Sequence, residues 1–175
     1  NKGGITVSGG EPLLQIDFLI EFFRLAKAEG VHTTLDTSAN PYTEKEPFYS
    51  KWLELMKYTD LVLLDIKQID EEEHIKLTGR SNKNILAMAR KLSDMGKPMW
   101  IRHVLVPGGS DKDEYLHRLA DFIHTLKTVE RVEVLPYHTL GVFKWEQLGI
   151  PYPLEGVKPP SKERIDNARE ILGAI

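Results

Sequence analysis

Five short polar clusters hold the side chains with the most chemical potential: Gly9-Gly10-Glu11, Asp36-Thr37, Asp65-Ile66-Lys67, Arg102-His103 and Tyr137-His138. Asp65 and Lys67 are two residues apart, so on an extended segment their side chains share one face. A paired acid and amine there can hold a zwitterionic or hydroxyl-rich ligand. Two chemistries follow. Lys67 can act as a Schiff-base nucleophile, in the manner of aldolase-type lyases. Alternatively, Gly9-Gly10-Glu11 presents backbone groups to a ligand's amino end while Lys67 meets its carboxylate. The residue types alone leave both open, along with a non-catalytic binding module. Each cluster also has a plainer reading. Gly9-Gly10 by itself is a tight turn, Asp36-Thr37 a helix cap, Asp65-Lys67 a solvated ion pair, and Arg102 a partner for a neighbouring carboxylate. The run Glu71-Glu72-Glu73 reads as surface, and the six histidines show no metal-ligand spacing. What argues for function is the constellation.

The elements that position these clusters alternate between apolar runs and helix-period segments. Strands are expected at Ile5–Ser8, Val31–Thr37, Leu61–Leu64, Met99–Val106 and Val132–Leu135. Ile16, Leu19, Ile20, Phe23 and Ala26 recur at helical spacing, with Gly30 placed for a left-handed C-terminal cap. A weaker helix is expected over Glu44–Lys57. A stripe of Ile85, Leu86, Ala89, Leu92 and Met95 predicts another, stopped by Gly96. Ser110 or Asp111 is expected to cap a helix holding Leu116, Leu119, Ile123 and Leu126, and a final helix starts at Ser161. Residues 139–160 read as a long irregular connection. Strand starts lie about 26 to 38 residues apart, the spacing of successive βαβ units. The fold class is α/β with a mainly parallel sheet, as an open doubly wound sheet or part of a (β/α) barrel, in one domain over residues 1–175. In either form all five clusters fall at strand carboxyl ends, where such folds bind ligands.

Composition bounds the possibilities. The 175 residues carry 23 Lys+Arg against 26 Asp+Glu, a net charge of -3, with 41% hydrophobic residues, enough to build a core. That balance speaks against a nucleic-acid partner bound through a strongly basic surface, and no apolar stretch has membrane-spanning length. With no cysteine there is no disulfide, thiolate nucleophile or cysteine-ligated metal within these residues.

The segment Gly3-Gly4-Ile5-Thr6-Val7-Ser8-Gly9-Gly10-Glu11-Pro12-Leu13 resembles the second strand and GGE motif of radical S-adenosylmethionine (SAM) enzymes. Leu35-Asp36-Thr37, Leu64-Asp65-Ile66-Lys67-Gln68, Trp100 through Gly108, and Leu135 through Gly141 extend the resemblance across the chain. Within those enzymes it is similar to the glycyl-radical-enzyme activases. His74, Gly79, Asn82 and the stretch Gly156 through Pro160 fit as well. The resemblance implies a partial (β/α)6 TIM-like barrel with a 4Fe-4S cluster held by an upstream CxxxCxxC motif. It implies SAM cleaved to a 5'-deoxyadenosyl radical that takes hydrogen from a glycine of the protein partner, pyruvate formate-lyase, or of another glycyl radical enzyme. A flavodoxin-type electron donor and the cytoplasm are implied too. Carried over by position, Gly9, Gly10 and Glu11 cradle the methionine amino end, and Asp65 and Lys67 meet the ribose and carboxylate. Val104 and His138 line the nucleoside side, and Asp36, Thr37 and the Leu63 carbonyl hold a monovalent cation. Arg102 contacts the partner's glycine loop. The first βα unit and the cluster ligands have no counterpart in these residues. The chain alone is therefore expected to assemble no cluster and to leave a sheet edge unpaired, an association liability.

Overall fold

The computed structural model describes residues 3–174; residues 1, 2 and 175 of the expected domain lie outside the described residues. Five strands form one parallel sheet: β1 (Gly4–Val7), β2 (His32–Thr37), β3 (Leu61–Asp65), β4 (Met99–Leu105) and β5 (Val129–Pro136). Their order is β1-β2-β3-β4-β5, so each crossover joins neighbouring strands. A doubly wound sheet reverses direction at a switch point, and this one does not. The winding is that of a barrel segment, which removes the open-sheet alternative.

Each crossover is helical. Helix α1 (Ile16–Ala28) buries Ile16, Leu19, Phe23 and Ala26, the stripe its periodicity predicts. It stops where Gly30 takes φ of 71°, a left-handed conformation that costs glycine little. Helix α2 (Phe48–Lys57) buries Trp52, Leu55 and Met56 but starts later than Glu44. Helix α4 (Lys83–Asp94) buries Ile85, Ala89 and Leu92 of its expected stripe together with Met88, while Leu86 is half-buried and Met95 exposed at the C-cap; α5 (Asp113–His124) buries Leu116, Leu119 and Ile123, with Leu126 buried just beyond it. Helix α7 (Lys162–Leu172) is capped by Ser161, whose hydroxyl accepts from the Arg164 amide at 3.2 Å.

Two local expectations need correction, and one surface run gains an element. Glu71-Glu72-Glu73 opens a helix, α3 (Glu71–Thr78): Asp70 caps it by accepting from the Glu72 and Glu73 amides, and acidic residues suit that end of the helix dipole. Neither Ser110 nor Asp111 caps α5, whose N-cap position is Lys112. Ser110 is fully buried and bridges the Val106 amide and Val104 carbonyl, while Asp111 accepts from the Gly108 amide. The stretch read as irregular holds α6 (Val142–Leu148), which buries none of its residues and leaves Phe143 and Leu148 exposed.

Period-two alternation sets the sheet's two faces. Val62, Leu64 and Ile66 of the β3 segment, and Met99, Ile101, His103 and Leu105 of β4, are fully buried. Leu63, Asp65 and Lys67, with Trp100, Arg102 and Val104, alternate with them and are only partly covered. The apolar members of the first set pack into the core, and the second set lies on the opposite face of the sheet. Asp36, Asp65, Lys67 and Arg102 thus share one face because each sits in phase with its strand, while His103 falls on the core face.

Candidate functional site

Register brings together residues far apart in sequence. Asp36 lies opposite Leu63, and Asp65 lies opposite Arg102. From β4, Arg102 reaches over β3 to β2. Its Nη2 lies 2.5 Å from Asp36 Oδ1 and 2.8 Å from Asp65 Oδ1, and its Nε donates to the same Asp65 oxygen at 2.9 Å. Lys67 Nζ donates to the other oxygen, Asp65 Oδ2, at 2.9 Å. Two carboxylates and two cations therefore balance within one network. The side chains of Arg102, Asp36 and Asp65 are 19%, 18% and 15% exposed, so water screens them weakly. Burial pushes the Asp36 carboxyl above its ordinary pKa; Arg102 opposes that shift and Asp65 adds to it. Burial likewise works against the Arg102 charge, but the two carboxylates outweigh it and raise its pKa.

Within the chain, Glu11 is bound on both carboxylate oxygens. Its Oε1 accepts from the Leu13 amide at 3.1 Å and the Thr37 hydroxyl at 2.5 Å. Its Oε2 accepts from the Ser38 amide at 3.0 Å and the Ser38 hydroxyl at 2.6 Å. Four accepted bonds fill a carboxylate's capacity. Glu11 clamps the end of β1 to the end of β2 and caps the 3-10 turn Pro12–Gln15. Thr37 is committed as well, donating to Glu11 and accepting from the Ala39 amide at 2.8 Å. What this leaves facing outward is the backbone of Gly9 and Gly10, where a Cβ would meet nothing within 4 Å. Gly9 takes φ of 105°, open to glycine and strained for other residues.

A buried polar layer holds the Asp65–Lys67 segment in place. His103 Nδ1 lies 2.8 Å from the Ile66 carbonyl, so in the neutral ring this nitrogen carries the proton. Burial lowers the His103 pKa and favours that neutral form. Gln68 Nε2 donates to the Gly109 carbonyl at 2.9 Å, and Asn82 Nδ2 donates to the Gln68 and Ile69 carbonyls. Satisfied buried networks of this kind fix one geometry. The segment bearing Lys67 is thereby tied to the β4–α5 loop and to the start of α4.

The mouth forms a cavity of about 360 Å³, walled by Ser8–Gly10 beyond β1, Asp36 and Thr37 on β2 with Ser38 just past it, Asp65 at the end of β3 with Lys67 just past it, and Arg102 on β4. Ser8 and Ser38 are wall residues that sequence reasoning did not single out; each directly adjoins a motif, which was the available signal. Leu63 sits below Asp65 on the same face. Val104 lies further round, paired with Leu135, and His138 is exposed just beyond β5. The structure thus gathers Gly9, Gly10, Asp36, Thr37, Asp65, Lys67 and Arg102 at one cavity, with Leu63, Val104 and His138 outside its walls. Among the described residues no group of three or more His, Asp or Glu side chains forms a metal cluster.

The radical SAM superfamily profile matches residues 1–121. The chain belongs to the radical SAM superfamily. It is 60% identical over 172 residues, 98% of its length, to the pyruvate formate-lyase-activating enzyme of Streptococcus mutans, covering 65% of that protein. To the enzyme of the same name from Staphylococcus epidermidis it is 58% identical over 166 residues, 95% of its length and 66% of the relative's. The radical SAM chain therefore spans just under two thirds of these relatives. The crystal structure of a domain of pyruvate-formate lyase-activating enzyme from Bacteroides vulgatus superposes with a TM-score of 0.79 at 26% identity, over 98% of this chain and 93% of that one. A five-stranded parallel α/β segment is thus a radical SAM barrel segment.

SAM and a 4Fe-4S cluster are the cofactors this superfamily implies, and the residues fit them unequally. An open Gly9-Gly10 backbone at the rim and a paired Asp65-Lys67 fit the amino, carboxylate and hydroxyl groups of SAM. Cysteine is absent from the 175 residues, so the cluster's ligands are not among them. Among the described residues no helix is long and apolar enough to cross a membrane.

Proposed function

We propose that this chain is the SAM-binding, substrate-facing part of a glycyl-radical-enzyme activase whose protein substrate is pyruvate formate-lyase. The observation that carries the reading is the Asp36–Arg102–Asp65–Lys67 network beside an open glycine loop at one barrel mouth. Close identity to relatives so named supports it over activases of other glycyl radical enzymes. When bound, SAM would supply one-electron radical chemistry for hydrogen abstraction from a glycine of the partner. The chain's own residues bind and orient. Gly9 and Gly10 offer backbone groups to the methionine amino end, held at the right height by the Glu11 clamp. Lys67 meets the carboxylate and Asp65 the ribose hydroxyls, while Val104 and His138 flank the nucleoside. Asp36 with Thr37 and the Leu63 carbonyl forms the place for a monovalent cation, and Arg102 faces the partner's glycine segment. A flavodoxin-type donor and a cytoplasmic location go with this reading.

A Schiff-base lyase fits less well. Lys67 is engaged by the Asp65 carboxylate, not set in the apolar or cation-rich pocket that activates a lysine nucleophile. The deciding experiment uses the complete enzyme with its cysteine-bearing segment. Lys67→Ala and Asp65→Ala are expected to lower reductive SAM cleavage tenfold or more. Arg102→Ala should lower glycyl-radical yield, read by electron paramagnetic resonance, more than it lowers SAM cleavage. Wild-type behaviour in all three variants overturns the assignment.

A further inference from the structure

His74 is the buried residue of α3, 2% exposed, and its ring is only half satisfied. Nδ1 lies 2.7 Å from the Arg80 carbonyl, so in the neutral ring the proton sits on this nitrogen and Nε2 is left as an acceptor. Nε2 is buried and has no hydrogen-bond partner among the described residues. Burial lowers the His74 pKa; the Arg80 carbonyl opposes that shift and the Lys67 charge adds to it, so the neutral ring is favoured. A buried acceptor of this kind is costly unless a donor reaches it. The ring lines a second cavity, of about 210 Å³, which shares Ser38, Asp65 and Lys67 with the mouth and adds His74 and Arg80. Asp65 is already spent there, one oxygen on Arg102 and the other on Lys67. What the annex offers is a neutral acceptor, the Lys67 ammonium and, at an exposed position, the Arg80 guanidinium.

We infer that this annex is a subsite for a hydroxyl or carboxamide side chain of the protein substrate, close in sequence to the glycine served by the mouth, with His74 as its specificity-determining contact. The group seated there has to donate to Nε2 and present an acceptor to the two cations. A carboxylate satisfies the cations but brings no donor, and an ammonium or guanidinium donates but meets two like charges. A hydroxyl or a carboxamide does both. The volume of about 210 Å³ takes one short polar side chain and a few waters of roughly 30 Å³ each. The inference rests on the activase reading, which puts SAM in the mouth and a glycine of the partner beside it. Residues flanking that glycine follow at about 3.8 Å per Cα, the scale that separates two cavities with common walls. A site built to hydrogen-bond its ligand rejects the analogue that lacks the group, because its own buried atom is then left unpaired.

The test uses the complete enzyme with SAM and reads, by fluorescence anisotropy, its affinity for short peptides bearing the partner's radical-site glycine. Each position flanking that glycine is replaced in turn. In the wild type, one flanking hydroxyl or carboxamide residue is expected to cost about tenfold or more when changed to Ala, Asp or Lys, and less than about threefold when hydroxyl and carboxamide are exchanged. His74→Asn keeps an amide nitrogen in place of Nδ1 and puts nothing at Nε2. In that variant the native peptide should weaken by about the same tenfold, while the peptide with Ala at the sensitive position binds as it does to the wild type. His74→Gln, which returns an acceptor to the Nε2 position, should recover part of the loss. The wild-type panel needs no variant to fold. A sensitive position that is charged or apolar, or a His74→Asn effect equal across every peptide, as a merely structural role requires, overturns the subsite and leaves the activase reading standing. Peptides that fail to bind the wild type overturn the activase reading and the subsite with it.

Discussion

Replacing Glu11 by Gln tests the clamp between β1 and β2 with a change of one atom. The carboxylate accepts four bonds, two at each oxygen, from the Leu13 amide, the Thr37 hydroxyl, and the amide and hydroxyl of Ser38. A carboxamide has one accepting oxygen and one donating nitrogen, so one pair of donors meets an NH₂ group in either orientation. Hydroxyls can rotate to accept, but the backbone amide in that pair cannot, leaving at least one donor unpartnered. The bonds that survive also lose their charge. Charged hydrogen bonds contribute roughly 1.5–3 kcal/mol and neutral ones about 0.5–1.5. One bond lost and two or three weakened gives a destabilisation of about 2–4 kcal/mol, moderated by the partial exposure of the site. For a chain of this size each kcal/mol lowers Tm by roughly 2–4 °C, so a drop of about 5–15 °C is expected in circular dichroism melts. A double-mutant cycle with Ser38→Ala should show non-additivity of about 0.5 kcal/mol or more. A Tm within about 2 °C of wild type, or strict additivity with Ser38→Ala, would refute the clamp.

Phe23, fully buried on α1, should cost about 3–5 kcal/mol when replaced by Ala, visible as a lower urea midpoint; a change under about 1 kcal/mol would mean the α1 face is not core. Asp60 accepts from Lys27 Nζ at 2.9 Å and the Thr33 amide at 2.8 Å. Burial raises its pKa, but these donors outweigh it and the folded value lies below the ordinary one. Its stabilisation is therefore present above the unfolded pKa of about 3.9 and is lost as pH falls through the folded value. Asp60→Asn should lower stability at pH 7 and flatten that acid limb, measured by urea unfolding between pH 3 and 7; an unchanged limb counts against the assignment. Gly9→Ala meets no steric clash but forces an L residue to φ of 105°, costing about 1–3 kcal/mol. In the complete enzyme it should weaken SAM binding by more than tenfold, and an affinity equal to wild type would show that the loop can relax.

The strands were legible because a buried β-strand announces itself as an apolar run, and Leu61–Leu64 and Met99–Val106 did so. Helix α3 was not, since His74 is its only buried residue and an acidic opening resembles any solvated surface. Helix α6 buries nothing, so no periodicity could mark it. At the site, residue identities and strand-end positions could be read directly, but pairings could not. Glu11 reaches Ser38 across 27 positions and Arg102 reaches Asp36 across 66, and only sheet register brings such partners together. The motif beginning Gly9-Gly10-Glu11 pointed correctly to the cavity wall. It did not reveal that the glycines face the opening while the glutamate holds them there.

The sequential winding of the sheet has a consequence for motion. Because each βα unit packs beside units adjacent in sequence, opening can proceed from the margins inward, and amide exchange should be slowest at β3 and faster at β1 and β5. The four residues of β1 are all at least partly exposed, and among the described residues they pair only with β2. The cavity draws on both ends of this expected order, with Gly9-Gly10 just beyond β1 and Asp65-Lys67 at the end of β3. A ligand bridging the two would tie β1 to β3, so in this chain part of its affinity would go into ordering β1. Protection of the Ile5 and Val7 amides would then report occupancy of a site to which those residues contribute no side chain.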